Sequence, residues 1–280
     1  MSRKCWAINM KVYTFGNRED MAPKAKNLII LSEKKITIPN TIIIHLENYY
    51  ECEIRKYYDV YAKRALDIFS QTDLVIFRPC ICGEDGQQNS FAGMMESCIL
   101  PQSWMDLDGF MDVTGRAMAL VETGRYMRDY MKKRGVGLHE VHDLTCIFQE
   151  YIIADKAGVL FTKDPVNGKD KIIIEATFGQ NTPITDGKID PDRYIVNKQR
   201  GIEACHIGRK EYITRIEARK EVSKKAEQSS APIRVLDNQE ISNLCTVAER
   251  VEKTFGTPQD IEWVIQGNEI FVLQARPITT

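Results

Sequence analysis

The chain contains 280 residues, 43% of them hydrophobic and 28% charged, which is the composition of a globular protein able to bury a substantial core. Its 38 basic and 39 acidic residues leave a formal net charge of −1, which argues against a nucleic-acid partner. No apolar run reaches the length of a membrane span and residues 1 to 16 lack a signal-peptide core, so we expect a cytoplasmic protein without a membrane partner.

The first half of the chain mixes helical and strand patterns. A continuous apolar run, Leu74 to Phe77, predicts a short buried strand that leads directly into Arg78. Residues 79 to 98 contain glycines among small and polar residues, which predicts a flexible loop. The other elements predicted here are a helix from Met21 to Glu33, a strand from Thr41 to His45 and a helix from Asp112 to Lys133.

The second half is rich in strand patterns separated by turn residues. Residues 217 to 232 are charged and then contain Ser and Pro, which predicts a surface excursion. A helix follows, with Asp237 as its N-cap, Glu240 three residues later and Gly256 as its C-terminal stop. Strands are predicted at Cys146 to Ile153, Gly158 to Thr162, Lys171 to Glu175 and Tyr194 to Asn197.

The closing segment predicts a β-hairpin with a three-residue loop, Gly267 to Glu269. In that register Glu262 lies opposite Gln274 and Asp260 opposite Arg276, all on one face. Carboxylates suit Mg²⁺ and a guanidinium suits phosphate, so this face is a candidate metal-phosphate platform. The alternative, which the hairpin by itself favours, is a cross-strand salt bridge on a solvated face. The opposite face is predicted to hold Ile261, Trp263, Ile265, Phe271, Leu273 and Ala275.

Four separated segments carry further motifs. They are Ala22 to Leu28; Arg78 with Glu84-Asp85 and Ser90 to Glu96; Gln149-Glu150 with Gly158 to Pro165 and Pro191 to Tyr194; and Gly256 to Trp263 with Leu273 to Thr280. Together these motifs resemble, in the same order and over almost the whole chain, the ATP-binding domain of phosphoenolpyruvate synthases and pyruvate phosphate dikinases. The last segment is the most specific of the four.

The resemblance implies an α/β (α+β) ATP-grasp fold with ATP held between two lobes, residues 1 to 145 and 146 to 280. It also implies a Mg²⁺-dependent phosphotransferase that passes a phosphoryl or pyrophosphoryl group to a histidine. That histidine would lie on a further domain of a longer protein or on another chain.

The resemblance also assigns roles to individual positions. Fixed positive charges would contact the phosphates, a glycine loop would close over them with its backbone amides, and oxygen ligands would hold the metal. Catalytic phosphate contacts are implied for Lys24, Arg78 and Arg276; loop contacts for Ser90, Gly93 and Met94; adenine contacts for Gln149, Glu150 and Ile152; and Mg²⁺ ligands for Glu262 and Gln274, supported by Asp260.

The chain departs from the family pattern at four places. Ala22-Pro23 replace two glycines, and the stretch between Tyr50 and Val75 is shorter. Pro79-Cys80 replace two serines, and Gln180-Asn181-Thr182 stand where the family has Leu-Gly-Glu. Direct phosphorylation of a small molecule is an alternative function, and so is an ATP-binding regulatory protein without turnover. The phosphate and metal positions are nevertheless retained, which favours an enzyme.

Overall fold

The computed structural model describes residues 11–46, 51–69, 72, 74–80, 85–86, 89–90, 97–101, 106–123, 144–199, 201–217, 220–225 and 233–278. In chain order these residues form β1 (Val12–Phe15), α1 (Pro23–Glu33), β2 (Thr41–Leu46), α2 (Glu51–Ile68), β3 (Leu74–Cys80), β4 (Asp85–Gly86), β5 (Asn89–Ser90), β6 (Cys98–Pro101), α3 (Leu107–Thr123), β7 (Leu144–Glu150), β8 (Lys156–Phe161), β9 (Lys171–Phe178), α4 (Thr182–Thr185), β10 (Asp192–Asn197), β11 (Ile202–His206), β12 (Tyr212–Glu217), β13 (Lys220–Lys225), α5 (Asn238–Phe255), β14 (Gln259–Gln266) and β15 (Glu269–Pro277). The predicted mixture of helices and sheets is confirmed. None of the helices in these residues is long and apolar enough to cross a membrane.

The first sheet has the strand order β1-β2-β7-β3-β6 and is antiparallel except between β1 and β2. Successive side chains along a strand point to opposite faces. On the outer face, Ile42, Phe77 and Phe148 pack with Tyr61 of α2 and Phe110 of α3. The ring centroids of Tyr61 and Phe148 are 4.5 Å apart, so helices and sheet share one aromatic core.

The inner face of the first sheet carries the residues at the alternate positions. Ile43, Cys80 and Ile147 lie on this face and belong to the same core as α1. Arg78 and Gln149 also point to the inner face, because each lies two residues from one of these core residues. The sheet therefore positions both predicted site residues towards the second half of the molecule.

The second sheet has the strand order β11-β10-β9-β8-β14-β15 and is antiparallel throughout. Its back face, with Ile174, Tyr194 and Trp263, packs against α1 and α5 in the core that also contains the inner-face residues of the first sheet. The alternate positions form its front face, which carries Glu262 and Asp260. The helix α1 is thus packed against both sheets.

The helix α5 has the predicted caps. The Asp237 side chain accepts a hydrogen bond from the Glu240 amide, and the Glu240 side chain accepts one from the Asp237 amide, both at 2.8 Å. Gly256 ends the helix with a φ of 69°, a conformation that glycine adopts without steric cost. Glu240 also accepts from Lys156 of β8 at 2.6 Å, so the cap fixes the helix to the sheet.

Other elements differ from the predictions. The helix α3 begins at Leu107 rather than Asp112, because the Asp106 side chain accepts from the Gly109 amide at 2.8 Å and caps it earlier; residues 124–133 lie outside the described residues. Part of the predicted excursion at 217–232 forms β13, paired with β12. The predicted division after residue 145 falls inside β7, which pairs along its length with β2 and β3 of the first sheet.

Candidate functional site

The hairpin of β14 and β15 places the four predicted polar residues as expected. Glu262 lies opposite Gln274, and Asp260 lies opposite Arg276. The prediction of a three-residue loop was wrong, because Gln266 pairs with Glu269 and only Gly267 and Asn268 remain in the loop. A β-bulge compensates for the shorter loop. Between the pairs Glu262–Gln274 and Trp263–Val272, the strand β15 contains one additional residue.

The bulge changes the assignment of side chains to the two faces of β15. Trp263 lies opposite Val272, so Leu273 is the additional residue of the bulge. Val272 packs with Trp263 in the back-face core, whereas Phe271 and Leu273 pack with Ile152 on the front. The prediction that Phe271 and Leu273 lie on the back face was therefore wrong.

Arg78 connects the two sheets at this hairpin. Its guanidinium donates to the Leu273 carbonyl oxygen at 3.2 Å and to Gln274 Oε1 at 2.9 Å, and Nη2 lies 3.8 Å from Glu262 Oε2. The Arg78 and Glu262 side chains are 17% and 24% exposed, so this cluster is shielded from water without being closed to it. The bulge takes Leu273 out of regular pairing and leaves its carbonyl oxygen to accept from Arg78.

Asp260 and Arg276 form a second ion pair on the same front face. Arg276 Nε donates to Asp260 Oδ2 at 2.9 Å. Burial raises the pKa of Asp260, and Glu262 adds to this effect, while Arg276 opposes it. The predicted alternative of a solvated salt bridge is wrong in one respect, because the Asp260 side chain is only 14% exposed.

The N-terminus of α1 approaches the same hairpin. The Asn27 amide donates to the Ala275 carbonyl oxygen at 2.8 Å, between Gln274 and Arg276 in the chain. Lys24 lies three residues earlier, in the first turn after Pro23, and residues three apart share a helix face. The helix therefore presents Lys24 on the side that faces β15.

A buried network fixes the segment that leads into α1. The Ala22 amide donates to Thr145 Oγ1 at 3.0 Å, and His45 Nδ1 lies 3.1 Å from the same oxygen. Thr145 and His45 are fully buried on the inner face of the first sheet. The Thr145 hydroxyl in β7 thus fixes Ala22, two residues before Lys24.

The predicted adenine residues lie at the end of β7 and just beyond it. Gln149 is 1% exposed and donates to Thr41 Oγ1 at 3.2 Å, so its side chain lies within the inner face. Glu150 accepts from Asn40 Nδ2 at 2.8 Å, and burial raises the pKa of Glu150 despite this bond. Ile152 belongs to the segment Tyr151–Asp155, which leads from the first sheet into the second and is called the linker below.

The linker contributes two residues to a small apolar cluster on the front of the second sheet, called the apolar floor. Its members are Ile152, Ala154, Ala157, Val264 and Phe271, with Leu273 partly buried against them. Val264 and Asp260 are four residues apart on β14, which is about 13 Å of strand. The front face therefore has an apolar end and a charged end, as an elongated ligand with a flat ring and an anionic tail requires.

The predicted glycine loop falls largely outside the described residues. Ser90 ends the short β5, whose Asn89 and Ser90 pair with Gly86 and Asp85 of β4. Gly93 and Met94 lie outside the part of the chain that the structure describes. Their predicted contacts with phosphates stay predictions.

The oxygen groups on the charged end suit one kind of divalent cation. Among the described residues, no three or more His, Cys, Asp or Glu side chains form a group that could hold a metal by themselves. Glu262 and Gln274 nevertheless supply a carboxylate and an amide oxygen side by side. Mg²⁺ is commonly held by one or two carboxylates together with phosphates and water, so these residues fit it.

Several residues at the site were not found from the sequence. Asn27 lies inside a quoted motif, but its bond to Ala275 depends on the packing of α1. Thr145 and the Leu273 carbonyl carry no sequence signal. Glu221 of β13 accepts from Thr182 Oγ1 at 2.5 Å, so a carboxylate contacts the position where the family pattern has one of its own.

The comparisons of the sequence with known proteins indicate one family. The family model described as "Pyruvate phosphate dikinase, AMP/ATP-binding domain" matches residues 45–280. The chain is 34% identical over 207 residues to a probable phosphoenolpyruvate synthase of Archaeoglobus fulgidus, covering 74% of this chain and 27% of that protein. It is 31% identical over 146 residues to rifampicin phosphotransferase of Bacillus cereus, covering 51% of this chain and 16% of that protein.

The chain thus spans about a quarter of the length of the first of these relatives. Among solved structures, the ATP-grasp ligase PsnB complexed with a minimal precursor aligns with 92% of this chain and 53% of its own. The sequence identity is 11% and the TM-score is 0.39, which is a remote likeness. The relationship therefore rests on the sequence matches.

Proposed function

The chain belongs to the family of pyruvate phosphate dikinase AMP/ATP-binding domains, and from this premise we propose that it binds Mg·ATP between its two sheets and transfers a phosphoryl or pyrophosphoryl group. The observation that carries the proposal is the contact of Arg78 with Gln274 and Glu262. It brings a phosphate-binding cation from one sheet to the candidate metal ligands of the other. We further propose an ATP-grasp arrangement whose lobes meet after Glu150, since a boundary there keeps both sheets whole.

In this proposal the purine lies on the apolar floor beside Ile152, next to Gln149 and Glu150. The members of the apolar floor are 0% to 8% exposed, so they form a packed apolar wall for one side of the ring, and the linker backbone runs alongside it. The triphosphate extends along β14 towards Asp260. The separation of about 13 Å between the two ends matches a ligand with its ring at one end and its charge at the other.

At the charged end each residue has a separate task. Lys24 and Arg78 neutralise phosphate oxygens, and Arg276 stabilises the group in transfer. Asp260 holds the Arg276 guanidinium in place through the 2.9 Å bond. Glu262 and Gln274 would hold Mg²⁺, which supplies charge neutralisation to the phosphates when bound.

For the transfer, a histidine nitrogen of the acceptor attacks the β-phosphorus of ATP. The bond between that phosphorus and the oxygen bridging it to the α-phosphorus breaks, and AMP leaves with the oxygen. The pyrophosphoryl group then remains on the histidine. Because this chain spans only part of its relatives, we place the acceptor on a further domain or on a separate chain.

Direct transfer to a small molecule is the second candidate. Its support is the 31% identity to rifampicin phosphotransferase of Bacillus cereus. The two candidates differ in their acceptor, while the ATP site is the same in both. A screen for ADP or AMP release with and without an added histidine-bearing domain would separate them.

Calorimetric titration with Mg·ATP tests the shared part of the proposal. We expect saturable binding that weakens about tenfold or more in Arg276→Ala. Arg18→Ala is the matched control, because Arg18 forms an exposed ion pair with Glu33. Glu33 lies at the other end of α1, nine residues after Lys24. Equal affinity of the wild-type and Arg276→Ala chains would overturn the role of Arg276, and no binding by the wild-type chain would overturn the proposed function.

A further inference from the structure

The hairpin of β12 and β13 contacts the linker through one carboxylate. Glu221 Oε1 accepts from the Tyr151 hydroxyl at 2.5 Å, and Glu221 Oε2 accepts from Thr182 Oγ1 at 2.5 Å. Tyr151 is the first residue of the linker, and Thr182 begins the short helix α4. A single side chain therefore joins three segments that lie 31 to 70 residues apart in sequence.

The face of the hairpin that carries Glu221 contacts the linker. Glu221 lies directly opposite Ile216, so the two side chains share a face. Thr214 lies two residues before Ile216 on the same strand and therefore shares that face as well. Thr214 is 1% exposed, whereas Glu217 on the other face forms an exposed ion pair with Lys224. The face that carries Glu221 is thus packed at Thr214 and at Glu221.

Backbone contacts hold the far end of the linker to the same assembly. The Gly179 amide donates to the Asp155 carbonyl oxygen, and the Gln180 amide donates to the Thr214 carbonyl oxygen, both at 2.9 Å. A Cβ atom on Gly179 would lie 2.2 Å from the Thr214 carbonyl oxygen, and φ at Gly179 is +76°, so glycine is needed for this approach. The linker is therefore fixed at Tyr151 and at Asp155, with Ile152 between them.

The Tyr151 hydroxyl is a permanent donor in this arrangement. Burial, and next the hydrogen bond to Glu221, raise the pKa of Tyr151 well above its ordinary value, so the phenol stays protonated at physiological pH. It donates to a carboxylate oxygen of Glu221, and hydrogen bonds between a hydroxyl and a carboxylate are among the stronger ones in proteins. Loss of Glu221 would leave a buried hydroxyl without this acceptor and release the Tyr151 side chain, while the Tyr151 amide still donates to the Leu74 carbonyl oxygen at 3.1 Å.

We propose that Glu221 is a positioning residue for the purine subsite: it holds Tyr151 and α4 so that Ile152 and the linker backbone are set for the base, while the triphosphate end is independent of it. This inference rests on the proposed function. The carboxylate lies on the linker side of the molecule, and the charged end is defined by Arg78, Glu262 and Gln274 through other contacts. Glu221 should therefore affect the part of the affinity that depends on the base.

The test compares two ligands, Mg·ATP and magnesium tripolyphosphate, which has the phosphate chain without the nucleoside. In Glu221→Ala we expect the Kd for ATP to rise about tenfold, which corresponds to about 1.4 kcal/mol. The Kd for tripolyphosphate should stay within about twofold of wild type. Tyr151→Phe removes one of the two hydroxyl groups that donate to Glu221 and should also raise the Kd for ATP.

Three further variants separate positioning from general stability. The effects of Glu221→Ala and Tyr151→Phe on ATP binding should not add in the double variant, because both remove the same contact. Glu221→Gln keeps an acceptor for Tyr151 and should recover most of the affinity. Glu217→Ala, on the exposed face of the same hairpin, should bind both ligands as wild type does, and urea unfolding monitors the folding of every variant.

Each outcome decides the proposal. A selective loss of ATP affinity in Glu221→Ala, with recovery in Glu221→Gln, supports it. Unchanged ATP binding, or equal weakening for ATP and tripolyphosphate, overturns the positioning role while leaving the proposed function intact. A wild-type chain that binds tripolyphosphate no less tightly than ATP has no purine subsite, and a chain that binds neither ligand overturns the proposed function and this inference with it.

Discussion

Replacing Arg78 by lysine tests the contact that joins the two sheets. Lysine keeps the positive charge, but a single ammonium group cannot reproduce the planar fork that reaches the Leu273 carbonyl at 3.2 Å and Gln274 Oε1 at 2.9 Å. A hydrogen bond from a charged donor is worth about 1.5–3 kcal/mol. Because the Arg78 side chain is 17% exposed, water replaces part of what is lost. We therefore expect Arg78→Lys to lower the free energy of unfolding by about 1–2 kcal/mol.

Urea unfolding and ATP titration measure the two consequences of this change. The Kd for Mg·ATP should rise about tenfold or more, since the misplaced cation no longer aligns Gln274 and the phosphates. Arg18→Lys is the control, because its partner Glu33 is 58% exposed and exposed pairs contribute at most about 1 kcal/mol. If Arg78→Lys unfolds and binds ATP like the wild-type chain, the bridge between the sheets has no role in the site.

Three further changes have defined outcomes. Burial raises the pKa of Glu150, so the contribution of Glu150 to stability should fall as pH rises from about 4.3 through the raised folded-state pKa. The free energy of unfolding of Glu150→Gln relative to wild type should therefore be higher at about pH 7.5 than at about pH 4. The same difference between variant and wild type at both pH values, measured by urea unfolding, would contradict this. Thr145→Val removes the hydroxyl that accepts from the Ala22 amide and should raise the Kd for ATP about fivefold, whereas Thr145→Ser should bind ATP like the wild type. Equal Kd values for the two variants in calorimetric titration would refute a role of this hydroxyl in the site. A Cβ at Gly158 would lie 1.9 Å from the Glu175 carbonyl oxygen and 2.6 Å from the Trp263 ring. Gly158→Ala should therefore lower the free energy of unfolding by about 3 kcal/mol. An unchanged midpoint of urea unfolding would contradict the close packing at this position.

Local signals sufficed where one segment determines its own geometry. The helix α5 could be predicted from Asp237, Glu240 and Gly256 because caps act within a few residues of the helix ends. The pairing of Glu262 with Gln274 was also predicted, although for an incomplete reason. The loop is one residue shorter than expected and the bulge adds one residue, so the two differences cancel at this pair.

Long-range contacts could not be predicted from the residues alone. The bond between Arg78 and Gln274 joins residues 196 positions apart, and only the resemblance to a family placed both in one site. The strand β13 was hidden because Lys220, Lys224 and Lys225 give its segment the composition of a solvated loop. Glu221 in that strand was overlooked for the same reason, since its partners Tyr151 and Thr182 are distant in sequence.

A crystal structure of the chain with Mg²⁺ and a non-hydrolysable ATP analogue would show directly whether the nucleotide binds between the two sheets. We expect the base on the apolar floor beside Ile152 and Phe271, with phosphate oxygens within hydrogen-bonding distance of Arg78 and Arg276. A nucleotide bound elsewhere, or one whose base lies against Asp260 and whose phosphates point to the apolar floor, would contradict it.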